Sequence, residues 1–278
     1  MRMPAYIIDS PTVLRHGVEF PLLVGDDAFL TKGKSYPRAV SFEHGDSQAL
    51  FIGGVVSTAE INTICAGIAE EIASRFSKQK ILLIQVLEGS RPFSDQVILC
   101  LQSNFPAQSY EVAALKVCSY THGSQANGHK IILPLHNAKG EIHNLADFDT
   151  VVVLDDLLDM GNTIHWLTTK YLAKLNAPAI KAFFMLGKER MRTSAVNRTL
   201  AQSEALCGCL VPDKWVVGFG LDINLPGTTG QAPLHLFRSE LPGGIYAFND
   251  NIEQKLIKEY QNSPDDLMKQ LRVYIGAI

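Results

Sequence analysis

The sequence predicts an α/β fold whose sheet is mostly parallel and covered by helices on both faces. Three observations predict it. Runs of strand length at 81–87 (ILLIQVL), 151–156 (VVVLDD, apolar up to its two acids) and 182–187 (AFFMLG) carry consecutive apolar residues rather than alternating ones, as in strands buried on both faces. Helix-period patterns separate these runs. The 278 residues are 46% hydrophobic and 19% charged, which excludes a disordered or fibrous chain and permits a core without disulfide or metal staples.

The first 54 residues read as short strands and turns punctuated by Gly and Asp. Ser57 then opens a helix through the capping box Ser57-x-x-Glu60, and Ile61, Ile64, Cys65, Ile68, Ala69, Ile72 and Phe76 share its apolar face. The strand at 81–87 leads to a short helix at 93–101, a strand at 111–120 and a polar segment at 121–130. The strand at 151–156 runs into a helix at 163–175 that carries Ile164, Leu167, Tyr171, Leu172 and Leu175. Apolar stretches at 182–187 and 215–220 add two further strands. From about Asn249 the chain becomes charged and amphipathic, and Ser263-Pro264-Asp265-Asp266 is a good helix start. No internal repeat is present.

A formal net charge of −3 gives no electrostatic case for nucleic acid or an anionic membrane as partner. The opening MRMPAYIIDSPTVL lacks the apolar run of a signal peptide, and the apolar runs are far short of a membrane span. A soluble, cytoplasmic chain is expected. Five cysteines, an odd number spread over the sequence, fit a reduced setting. Cys207 and Cys209 would face one side of a strand, where packing explains them better than metal or redox chemistry. His122, His129, His136 and His143 recur every seven residues in a stretch too rich in Gly, Asn and Pro to form one helix, so their spacing reads as coincidence.

The chemistry concentrates at 151–166 (VVVLDDLLDMGNTIHW). A buried strand ends in Asp155 and Asp156, a turn carries Asp159, Gly161 permits tight turning, and Thr163 opens a helix. Ligands of open α/β sheets bind beyond the carboxyl ends of strands, and free amides with a Thr hydroxyl at a helix start suit a phosphate. Carboxylates would repel bare phosphate, so they need another role, which binding sugar hydroxyls or Mg²⁺ would supply. A sugar phosphate satisfies both halves, with its phosphate cradled by Met160, Gly161, Asn162 and Thr163.

This segment resembles the phosphoribosyl-pyrophosphate motif of the type I phosphoribosyltransferases. Further pieces resemble the hypoxanthine-guanine branch. Residues 84–93 (IQVLEGSRPF) look like its pyrophosphate loop, with Glu88, Gly89 and Arg91 as contacts. Residues 117–130 (VCSYTHGSQANGHK) look like its mobile lid, with the pair Ser119-Tyr120. Residues 185–190 (MLGKER) place Lys188 where the family has its purine-reading lysine. Residues 212–222 (PDKWVVGFGLD) look like the purine pocket, with Lys214, Trp215, Val216 and Asp222. The pieces occur in family order over about residues 55 to 225.

The resemblance implies a parallel-sheet phosphoribosyltransferase core at 55–225, and a small hood from an N-terminal extension at 1–54 and a C-terminal helical extension at 226–278. It implies transfer of phosphoribose from phosphoribosyl pyrophosphate to a 6-oxopurine, giving IMP or GMP, by a homodimer or homotetramer. Asp155 and Asp156 would hold ribose hydroxyls and the magnesium complex, with Asp222 as a second Mg²⁺ ligand. Asp159 would accept the proton of the purine, and the amides of Met160–Thr163 would hold the 5′-phosphate. Lys188, a donor only, would read the 6-oxo group; alone, it would pass for a surface lysine. Trp215 would stack on the base, the Val216 carbonyl would meet its edge, and Ser119 and Tyr120 would close over the site.

Three positions depart from the family pattern. Glu88 stands where the family carries Lys or Arg, although the family uses the backbone there in a cis peptide. Met160 replaces a hydroxyl residue, and no arginine follows Asp222 before Arg238. Arg91 is a candidate to supply the charge missing at Glu88. All three changes fall on phosphate contacts, which keeps a second class in play, a non-catalytic regulator that senses a nucleotide or phosphoribosyl pyrophosphate. Retention of Asp159 favours the enzyme. A dehalogenase-like phosphatase is discounted, because Asp155-Asp156-Leu157 lacks the Asp-x-Asp spacing.

Overall fold

The computed structural model describes residues 6–7, 51–120, 128–136, 140–141, 143–188, 205–211, 216–221 and 244–248. Backbone contacts divide the chain into two compact units, Met1–Leu22 with Asn62–Leu210, and Leu23–Ile61 with Val211–Ile278. The expected tail helices after Asn249, most of the first fifty residues, and Lys214, Trp215 and Asp222 lie outside the described residues.

The first unit is built on a seven-stranded sheet of β1 (Tyr6–Ile7), β3 (Ile81–Leu87), β4 (Tyr110–Tyr120), β5 (Gly128–Leu133), β6 (Thr150–Leu158), β7 (Ala179–Lys188) and β8 (Ala205–Val211). Their order is β1-β8-β7-β6-β3-β4-β5. The pairs β7–β6, β6–β3 and β3–β4 are parallel, while β4–β5 and β1–β8 are antiparallel. The continuously apolar segments thus form the central strands, as burial on both faces requires.

Alternation sorts each strand onto two faces. Leu82, Ile84 and Val86 of β3, Val151 and Val153 of β6, and Ala182 and Phe184 of β7 form one core with Ile164, Leu167 and Leu172, which follow β6. On the other face, Gln85 of β3 donates to Ser94 Oγ at 2.8 Å and Asp95 Oδ1 at 2.7 Å on helix α2 (Arg91–Asn104). Helix α1 (Thr58–Arg75) buries Ile61, Ile64, Cys65, Ile68, Ala69 and Ile72, and Phe76 just beyond it is buried too, as its periodicity predicts. The fold is α/β with a mostly parallel sheet, as expected.

Four expectations need correction. Strand β6 does not end at Asp156 but runs through both acids to Leu158. The helix expected over 163–175 is α3 (Asn162–Trp166), a π turn (Leu167–Tyr171) and a 3-10 turn (Leu172–Leu175). The hydroxyls of Thr168 and Thr169 both donate to the His165 carbonyl, at 3.1 and 2.7 Å, competing with the helical ladder where it widens. Asn176 ends the segment in the left-handed region, φ 55°, which Asn tolerates. The stretch 215–220 adds no strand to the parallel sheet. Its described part gives only β9 (Val216–Val217), which pairs antiparallel with β10 (Gly244–Phe248); β10 in turn pairs with β2 (Phe51–Ser57) in the second unit. Finally, the polar stretch 121–130 is not all loop, since Gly128 already begins β5.

Cys65, Cys207 and Cys209 are buried thiols outside any disulfide. Burial, then the neighbouring Cys100, pushes Cys65 up to about 12, and burial followed by Cys209 pushes Cys207 up as well. Such thiols stay protonated and pack as small apolar groups. His129 stacks on Trp166 at 5.2 Å, whereas His143 is buried against Phe148. Among the described residues no helix is long and apolar enough to cross a membrane.

Candidate active site

The carboxyl ends of β7, β6, β3 and β4 lie side by side, and the predicted site residues of the first unit gather there. Strand β6 contributes Asp155 and Asp156 in consecutive positions. The Asp156 backbone N–H donates to Asp155 Oδ1 at 3.1 Å. Burial of the Asp155 carboxyl, and next the charge of Asp156, pushes its pKa well above the ordinary carboxylate range. Such a pair is costly to keep fully ionised unless hydroxyls or a cation occupy it.

The chain then turns through Asp159, Met160 and Gly161. Gly161 caps α3 at φ 77°, a left-handed conformation that a side chain would strain. His165 N–H closes the first turn onto the Gly161 carbonyl at 2.9 Å. Asn162 and Met160 face solvent, Met160 being 43% exposed, and Thr163 is half-buried. The turn therefore brings the amides of residues 160–163 close to the Thr163 hydroxyl.

Lys188 ends β7 with its side chain only 6% exposed, and its Nζ lies 3.6 Å from Asp159 Oδ2. A buried ammonium needs a partner, and this distance is an ion pair rather than a close hydrogen bond. Lys188 is thus no surface lysine: its ammonium faces the carboxylate of Asp159 in the turn that follows the neighbouring strand β6. Asp159 remains 38% exposed and open to a ligand.

A cis peptide joins Leu87 to Glu88, where the resemblance places one. The Ser90 hydroxyl donates to the Val86 carbonyl, and Arg91 N–H to the Glu88 carbonyl at 3.2 Å, so the loop 88–91 folds back on β3. Two side chains here change the expected charge pattern. Glu88 pairs with Lys116 of β4, and Arg91 lies 3.5 Å from Asp95 in its own helix, largely exposed. Lys116 had no signal in the sequence, because only the register Leu87↔Lys116 reveals it.

Ser119 and Tyr120 end β4, opposite His129 and Gly128 of β5. The intervening 121–127 lie outside the described residues, as do Lys214, Trp215 and Asp222. Val216 is buried in β9 of the second unit. His129 on β5 stacks on Trp166, and Trp166 on Tyr171 at 6.3 Å. Strand β5 thereby rests on the helical segment that follows the Asp159 turn, a link that sequence spacing could not show.

No family model matches the chain. It is 26% identical over 179 residues to the hypoxanthine-guanine phosphoribosyltransferase of Lactococcus lactis, covering 62% of this chain and 86% of that protein. It is 25% identical over 188 residues to the bifunctional protein TilS/HprT of Listeria innocua, covering 66% of this chain. There the match spans only 26% of the relative's length. A hypoxanthine phosphoribosyltransferase from Staphylococcus aureus superposes with a TM-score of 0.56 at 19% identity, covering 73% of this chain and 94% of that one. The chain is thus similar in sequence to hypoxanthine-guanine phosphoribosyltransferases and shares the fold of the type I phosphoribosyltransferases.

Proposed function

We propose that this chain is a purine-salvage phosphoribosyltransferase that moves phosphoribose from phosphoribosyl pyrophosphate to hypoxanthine or guanine, giving IMP or GMP and pyrophosphate. The observation that carries this reading is the buried Lys188 ammonium, 3.6 Å from Asp159 in the turn that follows β6, the strand that bears Asp155 and Asp156. A base-reading donor, a proton acceptor and a diol-binding acid pair then line adjacent strand ends, where an α/β sheet binds ligands.

In this reading Asp155 and Asp156 accept hydrogen bonds from the ribose hydroxyls, and the Met160–Thr163 amides with the Thr163 hydroxyl hold the 5′-phosphate. Lys188 donates to the purine 6-oxo oxygen. A purine nitrogen attacks C1′, the C1′–oxygen bond to pyrophosphate breaks, and the proton lost by the purine passes to Asp159. Gly89 and its neighbours face the leaving pyrophosphate, while Ser119 and Tyr120 exclude water from the activated ribose. The resemblance would give Trp215, Lys214 and the Val216 carbonyl to the purine as well.

Magnesium fits this donor set. Two adjacent carboxylates, one made hard to ionise by burial and by its neighbour, gain from a divalent cation, and Mg²⁺ binds through few carboxylates plus substrate oxygens. Among the described residues no cluster of three or more acidic, His or Cys ligands exists, so substrate and Asp222 would supply the rest. When bound, it would neutralise charge on the departing pyrophosphate.

A sensor on the same fold is the second reading, favoured by the changes at Glu88 and Met160 and by the absent arginine after Asp222. The test is incubation with Mg²⁺, phosphoribosyl pyrophosphate and each of hypoxanthine, guanine, xanthine and adenine, with nucleotides separated by chromatography. IMP or GMP is expected, and Asp159→Asn should slow it about a hundredfold or more. Binding of phosphoribosyl pyrophosphate without a nucleotide from any base would move the reading to the sensor.

A further inference from the structure

We propose that Lys116 is the pyrophosphate-contacting cation of this site, exchanging Glu88 for pyrophosphate oxygens when phosphoribosyl pyrophosphate binds. The inference rests on the reading above and adds a residue that it does not use. Lys116 and Leu87 are register partners where β3 and β4 run parallel. Lys116 therefore stands at the mouth of the loop that begins with Glu88. With strands about 4.8 Å apart, it lies roughly 10 Å across the sheet from β6. That separation places it on the side of the site away from Lys188.

Charge gives the exchange a driving force. A bare carboxylate at Glu88 would repel pyrophosphate, but its pairing with Lys116 cancels that charge locally. Both partners are open, Lys116 at 39% and Glu88 at 44% exposure, and exposed ion pairs are weak, so a multiply charged anion can displace the carboxylate. Two other described cations near these strand ends have carboxylates of their own beside them. Lys188 is buried on Asp159, and Arg91 lies beside Asp95 along its own helix. Glu88 then acts as a positioning residue, and it competes with the substrate for the ammonium.

That competition gives the test its sign. Michaelis constants for phosphoribosyl pyrophosphate and for hypoxanthine are measured in wild type, Lys116→Met, Lys116→Arg and Glu88→Gln. Lys116→Met should raise the phosphoribosyl-pyrophosphate KM about tenfold or more, with the hypoxanthine KM little changed. Lys116→Arg should keep most of the affinity, and Glu88→Gln should lower that KM, because the competitor is gone. A pair that merely ties β3 to β4 would make Lys116→Met and Glu88→Gln shift KM in the same direction, which would overturn the proposal, as would no change in Lys116→Met. Should wild type form no nucleotide, the functional reading fails, and titration calorimetry with magnesium pyrophosphate decides the present one. Weaker binding by Lys116→Met and tighter binding by Glu88→Gln sustain it. Equal binding by all three, or none by wild type, sinks it.

Discussion

Lys188 and Asp159 carry most of the chemical information in the described site. A lysine buried to this degree destabilises the fold unless something balances its charge, which the nearby Asp159 carboxylate does. In the proposed reading, this pure donor would donate to a 6-oxo oxygen and offer an amino group no acceptor. Lys188→Gln adds an acceptor at that place. The ratio of kcat/KM for hypoxanthine over adenine should therefore fall by about tenfold or more, and an unchanged ratio would remove Lys188 from base selection. The residue types of this pair were legible in the sequence, since both stand at motif positions. Their burial and mutual distance were not, because they depend on β6 and β7 being neighbours in register. Lys116 was illegible for the same reason: nothing local marks a strand lysine as the partner of a loop glutamate 28 residues away.

At the scale of elements, the parallel strands and helix α1 followed directly from hydrophobic runs and periodicity, while the segment after Gly161 did not. There, two consecutive threonines reach back to one carbonyl, and a stack of His129, Trp166 and Tyr171 sets side-chain positions that a single α-helix need not supply. Propensity sees neither a shared acceptor nor a partner on another strand. Strand β8 shows how tightly the elements fit. A Cβ on Gly208 would meet Ile64 Cγ2 at 2.3 Å and the Met185 carbonyl oxygen at 3.0 Å. Gly208→Ala should thus cost about 1–3 kcal/mol by overpacking. Adding Ile64→Ala should make the loss less than the sum of the two single changes, since one removes what the other strikes. Additive melting-temperature losses would contradict the described contact between α1 and β8.

For the whole molecule, the site imposes a stability cost that pH exposes. The pKa of Asp155 is raised in the folded chain, so between the unfolded value, about 3.9, and the raised one the folded state binds more protons than the unfolded. Stability therefore falls as pH climbs through that window and stays lowered above it. In EDTA, Asp155→Asn should melt higher than wild type at pH 7, by about 2–4 °C per kcal/mol relieved, and the gap should narrow at pH 4. An equal gap at both pH values would show that ionisation is not the cause. The second unit takes residues from two stretches far apart in sequence, joined through β2 and β10, and composition does not reveal that pairing.

The central claim is group transfer rather than recognition alone, and the most direct measurement is the stoichiometry of pyrophosphate release. Phosphoribosyl pyrophosphate, Mg²⁺ and hypoxanthine are mixed with the protein, and pyrophosphate and IMP are quantified in the same samples over time. Transfer predicts that the two appear together in equal amounts, and that neither forms when hypoxanthine is omitted. Pyrophosphate without IMP, or bound phosphoribosyl pyrophosphate that stays intact beside hypoxanthine, would contradict it.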